Sequence, residues 1–229
     1  MPVCIGGHDR PARLDGRTAI VTGAETALGR ATAAGLAALG ATVHPVDRRD
    51  VSLLARVRAY AATWDERPDI LVHAAAVSPP RRLQTAEGHD LRLAMHVLGP
   101  HLLTKLLRPA GRVIWVTSAV LYTQRLRLDD LERSGPARTR RMQVALVREW
   151  GERVGGTAIH AVYPGRRRDA GEIVWLAAAA KPGRSTGRLW HGGTVRRAHY
   201  LPWTRDTAAE RAALWDAVDA ATSPPRGRS

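Results

Sequence analysis

The sequence predicts one α/β domain built on a doubly wound parallel sheet. Short apolar, β-branched runs alternate with alanine- and leucine-rich helical stretches from Thr18 almost to the end of the chain. No internal repeat or low-complexity linker divides them. The first run also passes through a glycine turn straight into a helix. That is how α/β folds present backbone N–H groups and a helix dipole to an anion. With 229 residues and 45% hydrophobic content there is room for one substantial core.

In order, residues 1–13 read as a flexible tail and residues 14–222 as the domain. Thr18 to Val21 is the first strand, Gly23 and Gly29 bound the turn, and Leu28 to Leu39 is the first helix, stopped by Gly40. Thr42 to Val46 is the second strand and ends in Asp47-Arg48-Arg49-Asp50. Val51 to Trp64 reads as a helix with Leu53, Leu54, Val57 and Tyr60 on one face. Ile70 to Ala75 is a buried strand, and Glu87 to Leu107 a long helix broken or bent near Gly99-Pro100. Then follow a strand Arg112 to Thr117, a helix Arg138 to Val154 and a strand Ala158 to Val162 ending at Pro164-Gly165. A helix Asp169 to Ala180, a short strand Arg188 to His191 and a helix Thr207 to Ala221 complete the domain. The last residues, 223–229, carry the composition of a disordered tail.

Composition narrows the function classes. The single cysteine, Cys4, allows no internal disulfide and no multi-cysteine metal site. No apolar run approaches the roughly 20 residues needed to cross a bilayer, and the N-terminus lacks a signal-peptide core, so a cytoplasmic protein is expected. The formal charge is +14, but the arginines are scattered, and neither zinc-finger spacing nor an RNA-binding aromatic motif accompanies them. The charge reads as a solvated surface and not as a nucleic-acid interface; Arg166-Arg167-Arg168 reads as a loop or an anion contact.

Five stretches in order are LDGRTAIVTGA, LVHAAAV, RVIWVTS, a helix carrying ARTRRMQVAL, and a strand ending YPG. Together they resemble the short-chain dehydrogenase/reductase superfamily. HVLGPHLLTKLLRP and GRLWHGGTVRRAHYLPWT are similar to segments of its retinol-dehydrogenase-like members. The resemblance covers about Leu14 to Thr222 and implies a Rossmann-type fold that binds NAD(H) or NADP(H) and moves a hydride. It also implies a cofactor turn at Gly23, Ala24, Leu28 and Gly29, with Ala27 where a middle glycine is usual. Asp47 corresponds to a ribose-binding carboxylate, which favours NAD slightly, while the neighbouring Arg48 works the other way. Asp50 and Val51 correspond to an adenine-contacting pair that arrives early, as though an edge strand had been trimmed. Ala75, at the end of the third strand, corresponds to a cofactor-binding position, and Ala74 lacks the family's polar brace. His73 is either a ligand-facing imidazole or a hydrogen-bonded buried one.

The resemblance then breaks at the chemistry. Ser118 matches the serine that hydrogen-bonds the substrate oxygen, but Pro136 stands where the acid/base tyrosine belongs and Arg140 where the lysine belongs. Proline has no proton to exchange. Arginine's fork suits a carboxylate or phosphate better than a close ribose contact. The supporting asparagine position holds His96, and the usual substrate-covering loop after Gly165 is cut to Arg166 through Asp169. Tyr122, four residues past Ser118, and His96 are the candidate substitutes for the missing acid. Tyr163 reads as a cleft wall, and Trp115 and Trp175 as core.

Three readings follow. The first is non-redox small-molecule chemistry, such as cyclisation, dehydration or isomerisation, in an open cleft where positioning and a few donors such as Ser118 suffice, with Tyr122 and His96 the further candidate catalytic residues, as substitute acids in the second. The second is an NAD(P)-dependent oxidoreductase with a substitute acid. The third is a non-catalytic protein that binds a partner or a dinucleotide. A homodimer, or pairing with a full-length relative, is expected through the helices around Leu93 to Leu107 and Arg138 to Val154.

Overall fold

The computed structural model describes residues 9–133, 135–165 and 170–224. Seven strands form one sheet in the order β2-β1-β3-β4-β5-β6-β7. They are β1 (Thr18–Thr22), β2 (Thr42–Val46), β3 (Ile70–His73), β4 (Arg112–Val116), β5 (Ala158–Val162), β6 (Arg188–His191) and β7 (Thr194–Arg196). The first six pair in parallel; β7 folds back antiparallel on β6. The strand order starts at β2, so among the described residues no further strand lies beyond it, in keeping with an edge trimmed between Asp47 and Asp50. The short β7 is invisible to periodicity because it spans only three exposed residues. Gly192 and Gly193, at φ +61° and +68°, supply the two left-handed positions of the tight hairpin turn.

Helices cover both faces. On one side, α1 (Ala27–Ala38) and α7 (Ala170–Ala178) pack over β1, β3 and β4 through Leu36, Ile173 and Leu176. On the other lie α3 (Leu54–Ala61), α5 (Gly99–Leu107), α6 (Pro136–Arg153) and α9 (Ala208–Thr222), sharing a core with Leu71, Val113 and Trp115. A short α8 (Ala180–Gly183) leads toward β6. None of the described helices is long and apolar enough to cross a membrane.

Two helices differ from the periodicity reading. The segment expected as one helix from Val51 to Trp64 is two, α2 (Arg48–Val51) and α3, separated at Ser52-Leu53. The carboxylate of Glu87 makes the break, accepting from the amides of Leu54 (2.6 Å) and Ala55 (2.8 Å) and so capping α3 from outside. Glu87 therefore does not begin the next helix. That helix starts after Asp90, whose side chain caps Arg92 and Leu93. It runs as α4 (Leu91–Leu93), a π-helical turn Ala94–Leu98, then α5.

The irregularity thus lies just upstream of Gly99-Pro100, and both residues explain it. Pro100 has no N–H for the carbonyl of His96, four residues back, and the Nε2 of Gln143 on α6 donates to that oxygen instead at 3.0 Å. A Cβ on Gly99 would sit 2.0 Å from the carbonyl oxygen of Val51, so glycine lets α2 approach.

The C-terminal helix α9 is fixed by a capping box between Thr207 and Glu210. It lies across α5 and α6 with Leu214 and Val218 fully buried. Trp215 packs on Trp150 of α6 (4.7 Å) and His101 of α5 (4.8 Å). The helix thus covers part of the face that α5 and α6 form, the face through which a homodimer was expected. Ahead of α9, the fully buried Asp206 binds Arg141 and Arg148 of α6 (3.0 Å to the latter), with Arg211 beside it at 3.7 Å.

Candidate functional site

A cleft of about 990 Å³ opens at the carboxyl ends of β1, β3, β4, β5 and β6, where ligands of such sheets bind. Its floor begins at the turn between β1 and α1. Gly23 has φ +71°, and a Cβ there would meet Cα of Ala75 at 2.7 Å; a Cβ on Gly29 would strike the carbonyl oxygen of Gly23 at 2.1 Å. Both glycines are therefore required by the turn itself. Thr26 caps α1: its hydroxyl donates to the Gly23 carbonyl (2.8 Å) and accepts from the Gly29 amide (3.0 Å). Thr26 and Leu28 line the cleft, while Gly23, Ala24, Gly29 and Ala75 form the frame beneath.

At the β2 corner, Asp47 caps α2 by accepting from the Arg49 amide (2.8 Å). Arg48 lines the cleft, and its guanidinium is paired with Glu25 of the glycine turn, Nε to Oε1 3.2 Å. Sequence reasoning missed Glu25; its place in the turn, opposite the end of β2, was the available signal. Asp50 and Val51, the pair that the resemblance assigned to adenine, are not among the residues that line the cleft. They belong to a helical turn and not to a strand-end loop, so Val51 is turned into the core, 1% exposed, and Asp50 pairs with Arg56 at the surface.

The centre of the cleft lies between the end of β4 and the first turn of α6. Ser118 lines it in extended backbone, set by the Thr117 amide bonded to the Val162 carbonyl (2.7 Å). Facing it is the start of α6, two residues earlier than the sequence suggested, with Pro136 at the first helical position. Pro136, Ala137 and Arg140 line the cleft. Arg140 donates to the Val116 carbonyl and to Oε1 of Gln143, both 3.1 Å, so its guanidinium is tied into the wall.

His96 also lines the cleft, yet it is 1% exposed and bonded on both nitrogens. The Val77 amide donates to Nε2 (3.1 Å), and Nη2 of Arg140 lies 3.4 Å from the same atom. An accepting Nε2 is unprotonated, so Nδ1 carries the proton and donates to Thr139 Oγ1 (2.9 Å), which passes its own to the Pro136 carbonyl (3.1 Å). Burial, then the nearby Arg140 and Arg92, hold its pKa well below the ordinary value. The ring is a neutral brace between the π-helical turn, the loop after β3 and α6, which opposes a role as general base.

Tyr122 does not reach the cleft. Its ring packs against Tyr163 (6.0 Å) and Tyr200 (4.6 Å), and its hydroxyl donates to the Arg197 carbonyl at 3.0 Å. Burial, reinforced by the neighbouring tyrosines, raises its pKa. The bond to Arg197 exists because β7, unseen in the sequence, brings that carbonyl over the turn Ala119–Thr123. His73 is the buried alternative: Nε2 meets Thr104 Oγ1 at 2.8 Å, and burial lowers its pKa to about 3.

The β5–β6 corner holds a histidine that sequence reasoning passed over. His191 lines the cleft, stacks on Tyr163 with ring centroids 4.1 Å apart, and donates from Nδ1 to the Tyr163 carbonyl at 2.8 Å. The signal was available: it ends a strand, immediately before Gly192-Gly193, at the ligand end of the sheet. Tyr163 forms the wall expected of it. Cys4, the run Arg166 to Arg168 and Asp169 lie outside the described residues.

No protein-family model matches the chain. Among curated proteins it is 33% identical over 199 residues to Dehydrogenase/reductase SDR family member 13 of Bos taurus, covering 67% of this chain and 52% of that protein. Retinol dehydrogenase 13 of Homo sapiens is 26% identical, covering 71% and 62% respectively. The chain spans about half the length of the curated relatives it matches first. Among solved structures, an uncharacterized protein from Mycobacterium Paratuberculosis superposes with a TM-score of 0.81 at 24% identity, covering 93% of this chain and 95% of that one. A blue fluorescent protein from a metagenomic library, in complex with NADPH, has a TM-score of 0.62 at 19% identity and covers 79% and 98%.

Proposed function

The chain belongs to the short-chain dehydrogenase/reductase superfamily, and on that premise we propose that it uses the family's nucleotide cleft for non-redox chemistry on a small polar molecule. Cyclisation, dehydration and isomerisation fit, because each can proceed by positioning and hydrogen bonding without hydride transfer. The observation that carries the reading is the first turn of α6. Pro136 and Arg140 face the cleft there, and Arg140 is engaged by Val116 and Gln143. The turn's hydroxyl, that of Thr139, is buried and donates to the Pro136 carbonyl. Neither proline nor a wall-bound guanidinium delivers a proton to a carbonyl reduced at Ser118.

A nicotinamide dinucleotide fits the residues present. The tight glycine turn that opens α1 is intact, with Gly23 and Gly29 packed so close to the Ala75 backbone and the Gly23 carbonyl that no Cβ fits, and Thr26 and Leu28 present the start of the helix to the cleft. These residues would hold its phosphates, with Asp47 toward the ribose. When bound, the group supplies a hydride donor or acceptor in ordinary family members. NAD is the preferred form: Glu25 adds a second carboxylate to that corner, and Arg48, which would offset Asp47, is already paired with it. Ser118 donates to a substrate oxygen, and the Tyr163-anchored imidazole of His191 holds or takes a proton at Nε2. Tyr122 and His96 do not serve as the acid, for the reasons of geometry given above.

The test combines binding with turnover. NADH and NADPH are titrated against the fluorescence of the seven tryptophans. A panel of ketones and aldehydes is then incubated with protein and reduced nicotinamide, following loss of its absorbance. Quenching without turnover is expected. Sustained ketone reduction by the unmodified chain overturns the reading, and absence of quenching removes its dinucleotide part.

A further inference from the structure

Seven large apolar side chains are exposed among the described residues, and five lie on two stretches that meet: Val120 on one, and Val195, Tyr200, Leu201 and Trp203 on the other. The stretches meet through Tyr122, which bonds the Arg197 carbonyl and packs on Tyr200 from the same turn that carries Val120. Trp203 is 67% exposed and Tyr200 57%. Clustered exposure of this kind marks a contact surface.

Its charge is one-sided. Arg196, Arg197 and Arg205 are exposed around the apolar tip, and no acidic residue occurs from Gly192 to Arg205. The next carboxylate, Asp206, is buried and bound by Arg141 and Arg148. We propose that this tip, Tyr200 to Trp203 with its three guanidiniums, docks the chain on the surface of an anionic lipid bilayer. Indole and phenol rings seat at the headgroup level, arginine stems follow them while the cations meet phosphates, and a few inserted side chains suffice. A uniformly cationic rim matches a continuous anionic headgroup layer better than it matches the mixed polar rim of a protein interface. A second copy would bring the same guanidiniums against their own kind in a chain of net charge +14. The tip adjoins the cleft, whose lining includes Val120.

The full chain is sedimented with vesicles of phosphatidylcholine alone and of phosphatidylcholine mixed with phosphatidylserine. Binding to the mixed vesicles only, weakened by salt, is expected. Replacing Leu201 and Trp203 together by alanine should reduce it at least ten-fold, and each of Arg196→Gln and Arg197→Gln by about five-fold. The pair Arg30→Gln and Arg184→Gln, on exposed arginines elsewhere, should leave most of it intact. Thermal melts confirm that each variant is folded. The proposal is overturned by no binding to the mixed vesicles, by equal losses in the tip and control variants, or by gel filtration showing self-association that Leu201→Ala with Trp203→Ala abolishes.

Discussion

Gln143 and His96 are joined by a hydrogen bond from the amide of one to the backbone oxygen of the other, 3.0 Å across the gap between α6 and the π-helical turn. That oxygen is the one Pro100 leaves without its regular helical partner, and Gln143 also accepts from Arg140. One side chain thus satisfies a broken helix and fixes a cleft cation. Gln143→Leu should lower stability by about 1–3 kcal/mol, the cost of an unsatisfied buried acceptor, read from urea unfolding. Gln143→Glu, which offers no donor at neutral pH, should not restore it.

The pairing of Glu25 with Arg48 makes a testable statement about cofactor choice. Glu25→Gln removes a negative charge from the β2 corner and releases the Arg48 guanidinium. NADPH binding should tighten relative to NADH by about five- to ten-fold, as one added charge contact implies. Fluorescence titration of both dinucleotides, wild type against variant, measures the ratio.

Asp206 lies fully buried between arginines of two elements. Asp206→Ala strands those charges and should cost about 3–5 kcal/mol, whereas Arg141→Met combined with Asp206→Leu should cost less, because the fully buried Arg141 leaves with its partner while Arg148 is partly exposed and Arg211 keeps Glu149 and Glu152. The contrast between the two denaturation curves is the readout.

Acid sensitivity should come from buried histidines. Burial lowers His73 to about 3, and lowers His101 and His160 to about 4. A histidine whose folded pKa lies below its unfolded value of about 6.5 binds its proton preferentially in the unfolded chain. Stability is therefore full above about pH 6.5 and falls as pH drops toward 4, by up to about 1.4 kcal/mol per pH unit for each such residue. His73→Gln should flatten the slope by one residue's share in melts taken between those limits.

The sheet was legible because its signals are local. Apolar runs such as Thr18 to Val21 and Ile70 to His73 are buried on both faces, and glycines at 23, 29 and 40 sit where the chain must turn. What escaped depends on distant groups. Glu87 divides α2 from α3 from more than thirty residues away, and β7 decides where the Tyr122 hydroxyl goes. The cleft was half readable: Ser118, Arg140, His96 and Leu28 do line it. His191 was missed because a resemblance directs attention to the family's positions, and this imidazole stands outside them.

A helix that lies across α5 and α6 within the same chain has a bearing on how this protein responds to dilution. A tethered segment meets its docking face at an effective concentration of millimolar order, whatever the amount of protein in the tube. Packing of the partly buried Trp215 over the buried Trp150 therefore needs no encounter between molecules, and this contact should survive as the sample is thinned.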